Sequence, residues 1–294
     1  MIELSNVTKR FGTHLAVDNL SLSIGPGEVF GFIGPNGAGK TTTMRILACL
    51  IAPDAGAATV CGFNVMTHQD QIRRSIGYMP DFLGYYEDLT ADEYLQFFAA
   101  AFGIARSKRR AVIDGVLELT DLTQKRHAPV EAFSRGMQQR LGVARVLLHD
   151  PKVLLLDEPA SGLDPRARIE LRSLLNELRA MGKTLMVSSH ILTELGEMST
   201  SIGIIERGKL LFAGSMQEAL ARSRTLGTVG ERIVMRLEDP ANDSVSAAIA
   251  ALSNEPRVHK AVAGTEPGTL VVDLVPGEHG HHFLIERLIG ANQR

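Results

Sequence analysis

The sequence predicts an α/β fold with a mostly parallel sheet, and three observations point to it. Strongly apolar runs, Val29-Phe30-Gly31-Phe32-Ile33 and Val153-Leu154-Leu155-Leu156, suit strands buried on both faces. Helical patterns separate such runs, so the strands are joined by crossovers rather than tight turns. The stretch Gly34-Pro35-Asn36-Gly37-Ala38-Gly39-Lys40-Thr41 sits between the first run and a helical segment from Thr42 to Leu50. It fits G-x-x-x-x-G-K-[ST], the phosphate-binding P-loop, in the strand–loop–helix context that the motif needs.

The remaining elements follow in chain order. Ile2 to Val7 and Leu20 to Ile24 alternate as strands do, with turn residues between them. A helical insertion spans about 90–150. Thr90-Ala91-Asp92-Glu93 forms a capping box ahead of Tyr94, Leu95, Phe97 and Phe98. Val112, Val116, Leu117 and Leu119 mark a second helix. Ser134 opens a third, from Arg135 to Leu148, which ends before Asp150-Pro151. After the Val153 strand, Asp164-Pro165 reads as an N-cap and an N1 proline. Ile169, Leu174, Leu175 and Leu178 give that helix an apolar face, and Gly182 lies just past its end. Thr184 to Ser188 returns as a strand and delivers His190 to its carboxyl end. Ile202 to Glu206 and Lys209 to Ala213, joined by Arg207-Gly208, read as a hairpin. Arg222 to Glu231 reads as a linker. Beyond it, strands at Ile233–Leu237, Val258–Ala263 and Thr269–Leu274, with helices at Ser244–Leu252 and His281–Ile289, predict a small α+β accessory domain. The expected division is 1–225 and 226–294.

The chemistry concentrates at two places. A helix N-terminus presents unpaired N–H groups and partial positive charge, so the loop at Gly34–Thr42 receives polyphosphate. Glycines 34, 37 and 39 let its backbone curl. Lys40 is placed to reach the β- and γ-phosphates, and the Thr41 hydroxyl to ligate Mg²⁺. Asp157 and Glu158 end the second apolar strand. Asp157 is placed to hold Mg²⁺, and Glu158 to take a proton from, or orient, an attacking water.

With these motifs in view, the chain resembles the ATP-binding subunits of ABC transporters over roughly residues 1–225. Phe11, in Lys9-Arg10-Phe11-Gly12, matches the aromatic that stacks on adenine, and the first strands match the antiparallel subdomain that carries it. Phe133-Ser134-Arg135-Gly136-Met137-Gln138-Gln139-Arg140 matches the signature motif. Ser161-Gly162-Leu163-Asp164 matches the D-loop, and His190 the switch histidine. The resemblance implies a P-loop NTPase of the ABC ATPase type, with an antiparallel β subdomain and a helical insertion. It implies ATP and Mg²⁺ as cofactors, with Lys40, Glu158 and His190 catalytic. It also implies that Ser134, Arg135, Gly136 and Met137 act in trans on ATP held by another chain. Two positions depart from the family pattern. Arg135 and Met137 replace a Gly and a Gln of the usual Leu-Ser-Gly-Gly-Gln. Asp81, after Ile76-Gly77-Tyr78-Met79-Pro80, stands where the family has Gln. A carboxylate there either ligates Mg²⁺, a hard cation that prefers oxygen, or marks a displaced loop. The combination resembles the branch serving exporters of drugs, lipids or polysaccharides.

Composition excludes other classes. The chain has 294 residues, 45% hydrophobic and 22% charged, with formal net charge −2. No basic excess argues for nucleic acid. The longest apolar run, Phe97 to Ala105, falls well short of the roughly 20 residues that a membrane-spanning helix needs. The first residues lack a signal peptide's basic start and apolar core. Two cysteines, Cys49 in the helix after the P-loop and Cys61 in a short apolar run, read as small buried hydrophobes in a reducing compartment. The expected location is cytoplasmic, peripheral on the inner face of the membrane through a separate transmembrane permease. With one P-loop and one signature in the chain, the resemblance implies a working unit that is a homodimer or a pairing with a similar ATPase chain. Phe82 to Asp88 suits either a docking surface for the permease or an ordinary capped loop. Glu278-His279-Gly280-His281-His282 reads as an exposed turn rather than a metal site, since no distant Cys or carboxylate stands out. The alternative function is a soluble ATP switch of the same type with no membrane protein attached.

Overall fold

The structure is a computed structural model and describes residues 1–82, 84, 88–191, 195, 199–218, 232–237, 242–264, 266–275 and 282–290. These fall in two compact units, Met1–Met216 and Gln217–Arg294. In the first unit, β1 (Ile2–Phe11) and β2 (His14–Ile24) form a hairpin whose inward side chains, among them Ile2, Val7, Leu20 and Ile24, are fully buried. Both strands run further than the sequence alternation suggests. Lys9↔Val17, Arg10↔Leu15 and Phe11↔His14 still pair, but register shifts break the inward–outward alternation there. β4 (Ala55–Val60) and β5 (Phe63–Asn64) complete an antiparallel sheet of order β2-β1-β4-β5.

The second sheet has six strands. They are β3 (Val29–Ile33), β6 (Ile76–Met79), β7 (Val153–Leu156), β8 (Thr184–Ser189), β9 (Ser201–Glu206) and β10 (Lys209–Gly214), in the order β10-β9-β3-β8-β7-β6. Every pair is parallel except β9–β10. All residues of β3, β7 and β8 are buried, as expected for central strands covered on both faces. The β9–β10 hairpin turns on Arg207 and Gly208, whose φ values of 48° and 80° give the two left-handed residues a tight two-residue turn requires.

Helix α1 (Lys40–Leu47) begins two residues before the expected start. Cys49 lies beyond its end, with a φ of 56°, rather than within the helix, yet it is buried in the core as expected, whereas Cys61 is only half-buried, in the β4–β5 turn. The sequence reading also missed α2 (Gln69–Ser75), a mostly polar helix with a single buried residue, Ile72. The insertion contains α3 (Ala91–Ala101), α4 (Arg106–Leu119) and α5 (Arg135–Leu147). Both reciprocal bonds of the Thr90–Glu93 capping box form. Helix α6 (Pro165–Ala180) is capped by Asp164, which accepts the Ala167 N–H at 2.8 Å. Its buried face is Leu171, Leu174, Leu175 and Leu178. Ile169 is 56% exposed instead. It lies two residues before Leu171, about 200° around the helix, so it points away from the core.

The second unit has three strands, β11 (Arg232–Arg236), β12 (Val258–Ala263) and β13 (Thr269–Leu274), in antiparallel order β11-β13-β12. Helices α7 (Asn242–Ser253) and α8 (His282–Gly290) accompany them, and Ala248, Leu252, Leu270, Val272, Leu274 and Leu284 form its core. These elements coincide with the predicted ones to within a few residues. The predicted linker, the stretch 278–281, and residues 83 and 85–87 of the candidate docking segment lie outside the described residues. Among the described residues, no helix is long and apolar enough to cross a membrane.

Candidate functional site

The parallel sheet brings four strand ends to one edge. Ile33 pairs with Ser189, Val187 with Leu156, and Leu156 with Met79, so β3, β8, β7 and β6 finish side by side. The residues that follow those ends are the P-loop, His190, Asp157-Glu158 and Pro80-Asp81. Open α/β sheets place ligands at this edge.

Packing decides the glycines of the loop. A Cβ on Gly34 would lie 2.2 Å from the Ile205 carbonyl oxygen. Gly39 has a φ of 109°, and a Cβ there would meet the Ala16 carbonyl oxygen at 2.4 Å. The loop is therefore pinned between β9 and β2, which only hydrogen side chains permit. Gly34 donates its N–H to the Ser189 carbonyl at 3.2 Å. Lys40 is buried. Its ammonium donates to the carbonyls of Gly34 at 2.6 Å and Pro35 at 3.3 Å and lies 3.1 Å from Glu158 Oε1.

The two acids behave differently. Asp157 is 1% exposed. Ser188 Oγ donates to Asp157 Oδ1 at 2.6 Å and accepts the Glu158 N–H at 2.9 Å. Asp157 Oδ2 is buried and has no hydrogen-bond partner among the described residues. Glu158 has a left-handed φ of 49°, uncommon for a residue with a side chain and frequent at functional sites. Its carboxylate lies between Lys40 and His190, whose Nδ1 is 2.9 Å from Oε2. With the carboxylate ionised, the imidazole donates from Nδ1.

A cleft of about 240 Å³ opens here, lined by Phe11, His14, Asn36 to Thr42, Asp81 and Glu158. Thus the structure brings Phe11, the P-loop, Asp81 and Glu158 together around one cleft. Asp81 is exposed, yet partial desolvation and the nearby Asp157 and Glu158 raise its pKa, against the opposing pull of Arg135 and His190. A larger cleft of about 500 Å³, walled by Val112, Val116, Leu119 and Met181, contains none of these groups.

Ser134, Arg135, Gly136 and Met137 do not line the 240 Å³ cleft. Ser134 caps α5, accepting the Met137 N–H at 3.3 Å. A Cβ on Gly136 would sit 2.8 Å from the Ala167 side chain, so the glycine lets α5 approach α6. In the D-loop, Leu163 is buried, Asp164 caps α6, and Gly162 lies beneath the Arg135 guanidinium. The sequence reading missed Ser188 and His14. The signal for Ser188 was a hydroxyl near the end of the strand that neighbours the acid-bearing strand.

A P-loop at the head of a parallel sheet, a strand ending in Asp-Glu, and a histidine on that Glu define a nucleoside-triphosphate hydrolase of the cassette type. A family profile described as ABC transporter matches residues 17–161. The Nod factor export ATP-binding protein I of Ralstonia nicotianae is 40% identical over 220 residues, covering 75% of this chain and 68% of that protein. The bacitracin transport ATP-binding protein BcrA of Bacillus licheniformis is 42% identical over 212 residues, covering 72% of this chain and 68% of its own. Among solved structures, dimeric MJ0796, a bacterial ABC transporter cassette, superposes with a TM-score of 0.67 at 26% identity, covering 74% of this chain and 99% of that one. The same cassette in a post-hydrolysis state with ADP and Pi gives 0.66. The chain belongs to the ATP-binding subunits of ABC transporters. It binds ATP and is an ATPase, and its likeness to proteins named for export and transport favours the transport reading over an ATP switch with no membrane partner.

Proposed function

We propose that this chain powers export through a separate membrane permease, held at the inner face of the membrane by that partner. The observation that carries this reading is the likeness, at 40–42% identity, to proteins named for Nod factor export and bacitracin transport. If it holds, the tagged full-length chain extracted from detergent-solubilised membranes retains a multi-span membrane protein in stoichiometric amount. Quantitative recovery without any such protein contradicts it.

In this reading two chains close around ATP. Phe11 stacks on adenine, and the N–H groups from Gly34 to Thr42 receive the phosphates with Lys40. Glu158 takes the proton of the attacking water at its carboxylate, and His190 fixes that carboxylate through Nδ1. Ser134 and Gly136 of the opposite chain complete the γ-phosphate site. The absence of the signature from the lining of the chain's own cleft supports this division of labour.

The donor set fits Mg²⁺. Asp157 presents a buried oxygen with no proton donor on it among the described residues, and Thr41 lines the cleft with its hydroxyl as a second hard donor. Asp157 and Thr41, with Asp81 as a further oxygen, would hold Mg²⁺, which would neutralise charge developing on the phosphates. Ser188 orients Asp157 through its 2.6 Å bond. Ser188→Ala should therefore raise the Mg²⁺ concentration for half-maximal hydrolysis by roughly tenfold, and Ser188→Thr should restore it. An unchanged Mg²⁺ dependence in Ser188→Ala removes Ser188 from that role.

A further inference from the structure

We propose that His14 recognises the sugar of the bound nucleotide, its imidazole forming the hydrogen bond that the ribose hydroxyls find in this cleft. The inference rests on reading the 240 Å³ cleft as the ATP site, with adenine on Phe11.

Strand register puts His14 beside Phe11. The two residues pair directly across the turn at Gly12 and Thr13. Directly paired residues project from the same face of a hairpin, with Cβ atoms about 5 Å apart. Both line the cleft. Phe11 is 50% exposed, and the Lys9 ammonium lies over its ring, 5.6 Å from the centroid. Lys9 is itself held by Asp54 at 2.9 Å. One face of the ring is thus occupied by a tethered cation, which leaves the other for a base.

The same strand leads on to the phosphates. Ala16 also lines the cleft, and its carbonyl oxygen lies 2.4 Å from where a Cβ on Gly39 would stand. β2 therefore abuts the P-loop two residues beyond His14, about 7 Å along an extended strand. His14 sits between the surface offered to the base and the loop offered to the phosphates. The ribose is the part of the nucleotide that spans this interval. The other polar side chains of the lining belong to the loop, to the start of α1, or to the strand ends at Asp81 and Glu158. Among the described lining residues, His14 is the one polar side chain on the hairpin. Among the described residues, its imidazole enters no hydrogen bond or ion pair. A neutral imidazole carries one donor and one acceptor, and a ribose hydroxyl is both, so the two pair in either tautomer.

The test is calorimetric binding to the full chain, with Mg²⁺ chelated so that no hydrolysis proceeds. ATP is compared with 2′,3′-dideoxy-ATP, which lacks both hydroxyls, in the unsubstituted chain, His14→Ala, His14→Asn and Phe11→Ala. The unsubstituted chain should bind ATP about fivefold more tightly than the dideoxy nucleotide, the worth of one hydrogen bond. His14→Ala should lose that preference by weakening ATP alone, with dideoxy affinity unchanged within about twofold. His14→Asn, which keeps a donor and an acceptor, should restore most of the preference. If His14→Ala does not fold, His14→Leu takes its place. Equal weakening of both nucleotides overturns the proposal, because a contact with the base, with a phosphate or within the turn is indifferent to the hydroxyls. An unsubstituted chain that binds both nucleotides alike overturns it too. Phe11→Ala tests the site reading separately and should weaken both nucleotides. If it weakens neither, adenine lies elsewhere, and the site reading falls with the proposal.

Discussion

Purified Glu158→Gln protein is expected to bind ATP and to hydrolyse it at least about a hundredfold more slowly than the unsubstituted chain. The amide keeps the shape of the carboxylate but cannot accept the proton of an attacking water at neutral pH. The position is prepared for that proton. Glu158 follows a fully buried strand, its backbone is held by Ser188 Oγ, and its carboxylate is held by His190 Nδ1. Removing the negative charge also frees Lys40 from its 3.1 Å contact, so ATP binding should persist or tighten. Phosphate release and equilibrium binding of ATP measure the two effects separately. Turnover within about threefold of the unsubstituted chain would leave Glu158 without a role as base.

Lys40→Ala should act on binding instead. Lys40 is 5% exposed and is the permanent cation of the cleft wall, in contact with Glu158 and sharing the cleft with Asp81. Its loss leaves those acids to repel the incoming triphosphate. Truncating one partner of a buried charge pair costs roughly 2–5 kcal/mol, which corresponds to ATP binding at least about thirtyfold weaker. Calorimetric titration measures this directly, and circular dichroism shows that the fold survives. An affinity within about twofold of the unsubstituted chain would place the phosphates elsewhere.

Much of the fold is legible in the sequence because its strands are extreme. Val153–Leu156 and Val29–Ile33 are apolar throughout, as burial on both faces demands. The caps at Thr90, Ser134 and Asp164 are local signals, and each forms the bond that its residue type predicts. Where the signal is weak the reading slips. Helix α2 has a single buried residue and so no apolar stripe to reveal it. The outer halves of β1 and β2 carry bulges that erase the period of two. Ile169 looked like core because it is apolar, but its phase on α6 turns it to solvent.

The site shows the same division. Motifs located Lys40, Asp157, Glu158 and His190, since each sits at a strand end or helix start. They could not reveal contacts set by sheet register. Ser188 reaches Asp157 only because Val187 pairs with Leu156. Nor could they show that Gly136 is needed for α5 to meet α6, or that Arg135 rests on Gly162. Those are tertiary approaches between segments that no short pattern spans.

The central claim is that an ATP bound at one chain's P-loop is completed by the signature of another. Mixing Lys40→Ala protein with Ser134→Arg protein tests it most directly. Each variant alone damages both sites of a dimer. In a mixed dimer one site carries both lesions and the other is intact. If random exchange makes about half the dimers mixed, each with one working site, phosphate release should recover to roughly a quarter of the unsubstituted rate. A mixture no faster than the average of its two parents, with mixed dimers demonstrated by differential tagging, would contradict the claim.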